Sequence, residues 1–277
     1  MLIDFHTHTS ASDGALAPEV LLARAAELGV AVLSITDHDT MGGYAAVRNH
    51  PLLRQHSMQL VPGVEFSCRW SGATIHVVGL GMEPGHNRLS EALTIMESAR
   101  CERALKIARR LGERGFEGAL QGAQAEAGES QLGRPHFASW MVQQEHVKDH
   151  REAFDRYLGQ GKIGDVKAFW PELQQVVEWI NASAGVAVLA HPYKYRFTGM
   201  KLRRLIMAFV EAGGGAIEMQ SGRQTAQQTA QLKRYAQEFD LEVSVGSDFH
   251  RDGAHNAPLG VDVPLDAELR GVWQRWL

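Results

Sequence analysis

Two histidines one residue apart, His6 and His8, close the apolar run Leu2-Ile3-Asp4-Phe5. Along a strand alternate side chains share a face, so both imidazoles project to one side and make half of a transition-metal site. The same residue types recur at or near the ends of other apolar runs. They are Asp13 in Ser12-Asp13-Gly14, His38 in Asp37-His38-Asp39, Glu65 after Gln59–Val64, His76 within Thr74–Val78, His191 before Pro192, and the period-two pair Asp248-Phe249-His250. A carboxylate or imidazole in an apolar strand is costly unless a cation or a donor faces it. Singly, each has a plainer reading: Asp13 as a turn residue, Asp37 and Asp39 as helix caps, a lone histidine as a satisfied core residue. Together they offer more ligands than one catalytic zinc uses and fit two or three divalent ions sharing a carboxylate. Mixed imidazole and carboxylate donors suit manganese, with iron or zinc as alternatives, better than magnesium or calcium.

The elements that must carry these residues alternate. After the first strand comes a helix with Pro18 in its first turn and Gly29 as its stop, then the β-rich run Val30–Ile35. Further strands are expected at Gln59–Val64, Thr74–Leu80, Val186–Leu189, Ala216–Met219 and Leu241–Val245, with helices at Tyr44–Arg48, Asn87–Arg114, Pro171–Ala184, Leu202–Ala212 and Thr225–Phe239. About seven strands alternating with helices argue for a parallel sheet, closed as a barrel, with its site at the C-terminal strand ends. Residues 101–167 lack a clear strand and read as a helical insertion capping that face. The barrel would then be discontinuous, 1–100 and 168–277.

The 277 residues carry 44% apolar side chains and a formal charge of −4. That balance gives no reason to expect a long-duplex binder and leaves room for a local basic pocket aimed at one small anion. Two cysteines, Cys68 and Cys101, do not suggest a disulfide framework and fit a reducing cytoplasm. There is neither a secretory leader pattern nor an apolar run long enough to span a bilayer, and nothing points to an obligate protein partner.

The ordered series His-x-His-Thr, Thr-Asp-His-Asp, Glu65, His76, His-Pro and Ser-Asp-Phe-His resembles the polymerase-and-histidinol-phosphatase (PHP) family of the amidohydrolase superfamily. The resemblance covers residues 1–80 and 186–250. It implies a distorted seven-stranded βα barrel, a trinuclear centre and hydrolysis of phosphate esters. Carried over, one metal would take His6, His8, Glu65 and Asp248, and a second Glu65, His76 and His191. A third would take Asp13, His38 and His250. Asp248, Glu65 and His191 would form the catalytic group, with Asp248 orienting or deprotonating a hydroxide that bridges the metals.

Substrate choice must come from cations elsewhere. Arg134 and His136 in Leu132-Gly133-Arg134-Pro135-His136 flank a rigid helix start, Lys162 sits in a Gly-rich loop, and Ser221-Gly222-Arg223 follows a strand. Guanidinium matches phosphate oxygens two at a time. This set is similar to the branch of the family that removes the 3′-phosphate of 3′,5′-nucleotide bisphosphates and trims short RNA from its 5′ end. One phosphate would lie on the metals while the basic residues hold the other. His136 or His250 could protonate the leaving alkoxide, and Tyr193, Tyr195, Phe197 and Trp170 are aromatics that could stack a base. The alternatives are a phosphatase for a small metabolite such as histidinol phosphate, a C–N amidohydrolase, and a non-catalytic module.

Overall fold

The structure, a computed structural model, describes residues 1–254, 256–263 and 270–277. In chain order its elements are β1 (Leu2–Asp4), α1 (Pro18–Glu27), β2 (Val30–Ile35), α2 (Gly42–Val47), α3 (Pro51–Gln55), β3 (Gln59–Trp70), β4 (Ala73–Leu80), α4 (Asn87–Gly112), α5 (Ala119–Ala127), α6 (Arg134–Gln143) and α7 (His150–Ala153). They continue with α8 (Leu173–Ala182), β5 (Val186–Leu189), α9 (Gly199–Glu211), β6 (Ala216–Ser221), α10 (Ala226–Glu238), β7 (Glu242–Gly246) and β8 (Val261–Asp262). The chain divides into two compact units, Met1–Leu93 with Pro171–Leu277, and Thr94–Trp170. The divisions thus fall at 93/94 and 170/171 rather than at 100/101 and 167/168.

In the first unit the strands run β7-β6-β5-β4-β3-β2-β1-β8. The chain beyond β1 bonds to the chain beyond β7: the His8 amide donates to Phe249 O (2.9 Å), the Asp248 amide to His6 O (2.8 Å), and Thr7 bridges Phe249 in parallel. Those bonds join the first and seventh strands, so the sheet is a nearly closed α/β barrel, and β8 pairs outside it.

The expectation of a uniformly parallel sheet is corrected. β1, β2 and β3 are parallel, as are β5, β6 and β7, but β4 runs antiparallel to both β3 and β5, and β8 antiparallel to β1. The reason is the short connection Ser71-Gly72. Both residues have positive φ, 46° and 74°, the pair of angles that turns a twisted strand straight back on itself. This reversal also positions the site. An antiparallel strand brings its N-terminal half to the barrel end where parallel strands bring their C-terminal ends, so His76 reaches the same end as Glu65.

The wall is held by ordinary burial. Leu21, Leu22, Ala25 and Ala26 of α1 pack on Val30, Leu33 and Ile35 of β2, with Phe249 and Leu259 in the same cluster. Each large side chain so buried stabilises by about 1.5–3 kcal/mol.

The second unit has its own core, including Ile107, Leu111, Ala123, Phe137, Trp140 and Met141. The Ala-, Gln- and Gly-rich stretch Gly122–Gln131 lies mostly in the helix α5. Gly122 interrupts it without breaking it, because the Trp140 ring lies where a Cβ would stand, 1.9 Å away. Helix propensity alone predicts that Gly122→Ala stabilises by about 1 kcal/mol. The packing predicts the opposite sign, a net loss of about 1–2 kcal/mol, because overpacking costs more than propensity returns. Urea unfolding at constant m-value decides between them, and a stabilised variant would contradict the packing described.

Candidate metal centre

The centre is organised on Glu65, which lies within β3 and is 1% exposed. Its Oε2 is 3.3 Å from His6 Nε2, 3.3 Å from His8 Nε2 and 2.9 Å from His38 Nδ1. Its Oε1 is 2.8 Å from His76 Nδ1 and 2.7 Å from His191 Nε2. Beyond His8, Asp13 approaches His250 Nε2 (3.3 Å), His8 Nδ1 (3.7 Å) and His38 Nε2 (3.8 Å). Asp248 Oδ1 lies 3.4 Å from His8 Nε2, 3.4 Å from His250 Nδ1 and 3.7 Å from His6 Nε2. Among the described residues, four groups follow in which the ligand atoms all lie within 4.8 Å of one another: His8, Asp13, His38 and His250; His6, His8 and Asp248; His6, Glu65 and His191; His38, Glu65 and His76. All nine residues singled out in the sequence converge here, and His8 also joins the Asp13 group.

A second layer of carboxylates ties down the backbone around these ligands. Asp4 accepts from the amides of His6 (3.2 Å), Ser247 (2.9 Å) and Gly260 (2.8 Å). Asp37 accepts from Thr9 N (2.7 Å), Thr9 Oγ1 (2.7 Å) and Ser12 Oγ (2.6 Å), which fixes the loop leading to Asp13. Asp39 is not the cap of α2, whose N-cap is Met41; it holds Ser67 N (2.6 Å) and Ser67 Oγ (2.9 Å) on the next strand.

Glu218 and Lys194 are not among the residues expected from sequence, and Tyr195, expected as a stacking aromatic, is tied by its hydroxyl to the backbone beside the ligands. Glu218 on β6 touches His6 and the His191 amide, and Lys194 sets its ammonium against Asp248 Oδ2. Tyr195 Oη accepts from the His76 amide (3.0 Å) and donates to Ala190 O (2.9 Å). The logic applied to Glu65, an acid inside an apolar strand, would have found Glu218 in Ala216-Ile217-Glu218-Met219.

The donor set fits divalent cations. His6 Nε2, both nitrogens of His8, His38 Nδ1, Glu65 Oε2 and His191 Nδ1 are buried without a hydrogen-bond partner. Buried polar atoms are normally partnered, and so many orphans at one point call for an ion. Glu65 and Asp13 are suited to coordination: burial opposes their charge, but the surrounding imidazoles hold both carboxyls well below the usual range. Burial, with His250 and His38 nearby, keeps His8 far below its ordinary pKa, and burial takes His76 down to about 4. Neutral imidazole is the form that binds metal. Glu218 is likewise held as an anion, since the His6 and His191 neighbours overcome its burial. His6 differs. Burial works against its charge, yet Glu218 and Glu65 lift it to about 10.

Of the cations proposed for substrate, Arg134 and Arg223 have other immediate partners. In the second unit, Arg134 at the start of α6 donates to Leu158 O (3.1 Å), and His136 Nδ1 accepts from the Gly133 amide (3.0 Å). Lys162 is exposed in its loop. In the first unit, Ser221 Oγ is buried without a partner, and the exposed Arg223 donates to Asn256 O (2.9 Å). Among the aromatics, Trp170 is buried, with Arg100 and Arg103 over its ring, and so presents no open stacking face.

The His6 shift sets a pH dependence. Its folded pKa lies above the ordinary 6.5, so its charge stabilises the metal-free fold fully below pH 6.5, and this is lost as pH rises through about 10. A cation on Nε2 must displace that proton. Affinity should therefore rise about tenfold per pH unit between pH 7 and 9, with proton release visible by calorimetry in buffers of different ionisation enthalpy. Affinity that is flat over this range would contradict a charged His6 in the metal-free fold.

Comparison with known proteins agrees with this geometry. Residues 4–184 match the model of the PHP domain family. The chain is 39% identical to a 5′-3′ exoribonuclease of Haemophilus influenzae (99% of this chain, 98% of the relative). It is 36% identical to a 3′,5′-nucleoside bisphosphate phosphatase of Chromobacterium violaceum (98% and 95%). Among solved structures, an amidohydrolase of C. violaceum with bound sulfate and no metal superposes with a TM-score of 0.87 at 35% identity, covering 99% of this chain and 95% of that one. A protein of Bifidobacterium adolescentis described as a metal-dependent phosphoesterase gives 0.77 at 25% identity (98% and 96%). The chain belongs to the PHP domain family.

Proposed function

We propose that this chain is a metal-dependent phosphoesterase that removes the 3′-phosphate of 3′,5′-nucleotide bisphosphates and trims short RNA from its 5′ end. The observation that carries the reaction type is the buried, partnerless set of imidazole and carboxylate atoms around Glu65. The substrate class rests on the names of the relatives, an exoribonuclease and a bisphosphate phosphatase. His6, His8, Asp13, His38, Glu65, His76, His191, Asp248 and His250 would hold two or three divalent ions, manganese first among the candidates. Once bound, such ions supply Lewis acidity, lowering the pKa of a water and polarising phosphoryl oxygens.

The chain's own residues have three tasks. Asp248, facing His6, His8 and His250 through Oδ1, orients the attacking water and accepts its proton. Water adds to phosphorus in line while the P–O3′ bond breaks, giving the nucleotide 3′-hydroxyl together with inorganic phosphate from a bisphosphate, or with the 5′-phosphorylated remainder of an RNA. The proton taken up by Asp248 is then returned to the departing oxygen. Arg223 and Ser221, both in the first unit, would hold the second phosphate of a bisphosphate substrate, which a monophosphate would lack. The reaction belongs in the reducing cytoplasm, where the free thiols Cys68 and Cys101 persist. Among the described residues no helix is long and apolar enough to cross a membrane.

Phosphate release by the manganese-loaded protein tests the reading. A 3′,5′-bisphosphate should be hydrolysed at least about tenfold faster than a 5′-monophosphate or histidinol phosphate, a difference of roughly 1.4 kcal/mol. Equal rates on mono- and bisphosphate would remove the two-phosphate pocket, and a preference for histidinol phosphate would replace the substrate. Arg223→Ala should lower kcat/KM on the bisphosphate roughly 10- to 100-fold, the worth of a hydrogen bond to a charged group, while leaving the monophosphate rate within about twofold.

A further inference from the structure

Glu218 belongs to none of the four ligand groups, yet both of its oxygens are engaged by ligands. It is 2% exposed on β6, between β5 and β7 in the sheet, and it joins two residues far apart in the sequence, His6 and His191. Oε1 is 2.9 Å from His6 Nδ1, and Oε2 accepts from the His191 amide at 2.6 Å. We propose that Glu218 is a positioning residue for the metal centre, selecting the coordinating nitrogen of His6 and holding the strained turn that aims His191. The inference rests on reading the site as a metal centre.

The first half follows from hydrogen-bond polarity. An ionised carboxylate only accepts, so Nδ1 of His6 must carry the proton that joins it to Glu218. Nε2 is then the nitrogen left to a cation, which displaces any second proton there, and it is this atom that lies buried without a partner beside Glu65 and Asp248. A carboxylate on the far nitrogen also makes the imidazole a stronger ligand.

The second half follows from the backbone. His191 has φ 28° and ψ 60°, in a region that costs a non-glycine residue about 1–3 kcal/mol. Its amide bond to Glu218 opposes that strain while the ring meets Glu65 Oε1 at 2.7 Å. The sequence leaves space for the arrangement at Gly246, where a Cβ would stand 2.3 Å from His6 Cβ and 2.8 Å from Glu218 Oε1.

Glu218→Gln separates positioning from packing, because it keeps the shape and removes one acceptor. If the amide oxygen serves the His191 N–H, the NH2 group faces His6 Nδ1 and drives the ring to the Nε2–H tautomer, which cannot coordinate through Nε2. If the oxygen serves His6, the NH2 group confronts the His191 N–H instead. Zinc affinity of the full chain, by competition titration, should therefore fall about 10- to 100-fold with far-UV circular dichroism unchanged. The 15N spectrum of zinc-loaded wild type should show His6 protonated on Nδ1. Should the glutamine variant fail to fold, Glu218→Asp keeps the charge but withdraws it by one methylene, and the same loss is expected. Wild-type affinity in whichever of these variants folds, or His6 protonated on Nε2 in wild type, would overturn the proposal alone. A wild-type chain that binds no zinc would overturn the metal reading and the proposal with it.

Discussion

The buried carboxylate of Glu65 is the constraint from which the rest of the site follows. A lone anion sealed in a barrel end is costly, and here five imidazoles crowd its two oxygens. Those rings come from the chain after β1, after β2 and after β5, and from β4 itself, so one side chain ties together most of the barrel's circumference. Six histidines near three acids cannot all be charged, and burial keeps several of them neutral. The energetically consistent occupant is a cation that each neutral ring and each carboxylate can face at once.

That requirement explains the layer behind the ligands. Ligand atoms kept clear of protein partners cannot also anchor themselves, so the anchoring passes to Asp4, Asp37, Asp39 and Glu218. Three of the four bind backbone amides at or beside the ligands, while Asp39 holds the amide and hydroxyl of Ser67 two residues past Glu65. The backbone bears part of the cost. Asp39, His191 and Asp248 all have φ between 28° and 57°, strain that persists only where neighbours overdetermine the conformation. Strain, orphaned polar atoms and shifted pKa values meet at one end of one barrel, which is the signature of a functional site rather than of a stabilising core.

The ligands were legible in the sequence because strand geometry is simple. Period two places His6 with His8 and Asp248 with His250, and apolar runs mark where each strand ends. What failed to show was whatever depends on pairing across the sheet. The direction of β4 follows from the turn at Ser71-Gly72, a signal overridden by the regular alternation around it. Asp39 reads as a helix cap until β3 is seen to continue past Glu65 and bring Ser67 to it. Glu218 was findable as an acid inside an apolar strand, but its partners, like those of Lys194, appear only when β6 and the His191 turn stand beside His6 and Asp248. In the second unit, Gly122 looks like loop composition because nothing local announces the Trp140 ring that requires it.

The most direct test of the account is anomalous diffraction at the manganese edge from crystals equilibrated with manganese. Two or three peaks are predicted, each about 2.0–2.3 Å from nitrogen and oxygen atoms of the nine residues around Glu65, a separation typical of divalent ions on these donors. A well-ordered barrel with no peak among His6, His8, His38, Glu65, His76, His191 and Asp248 would contradict it.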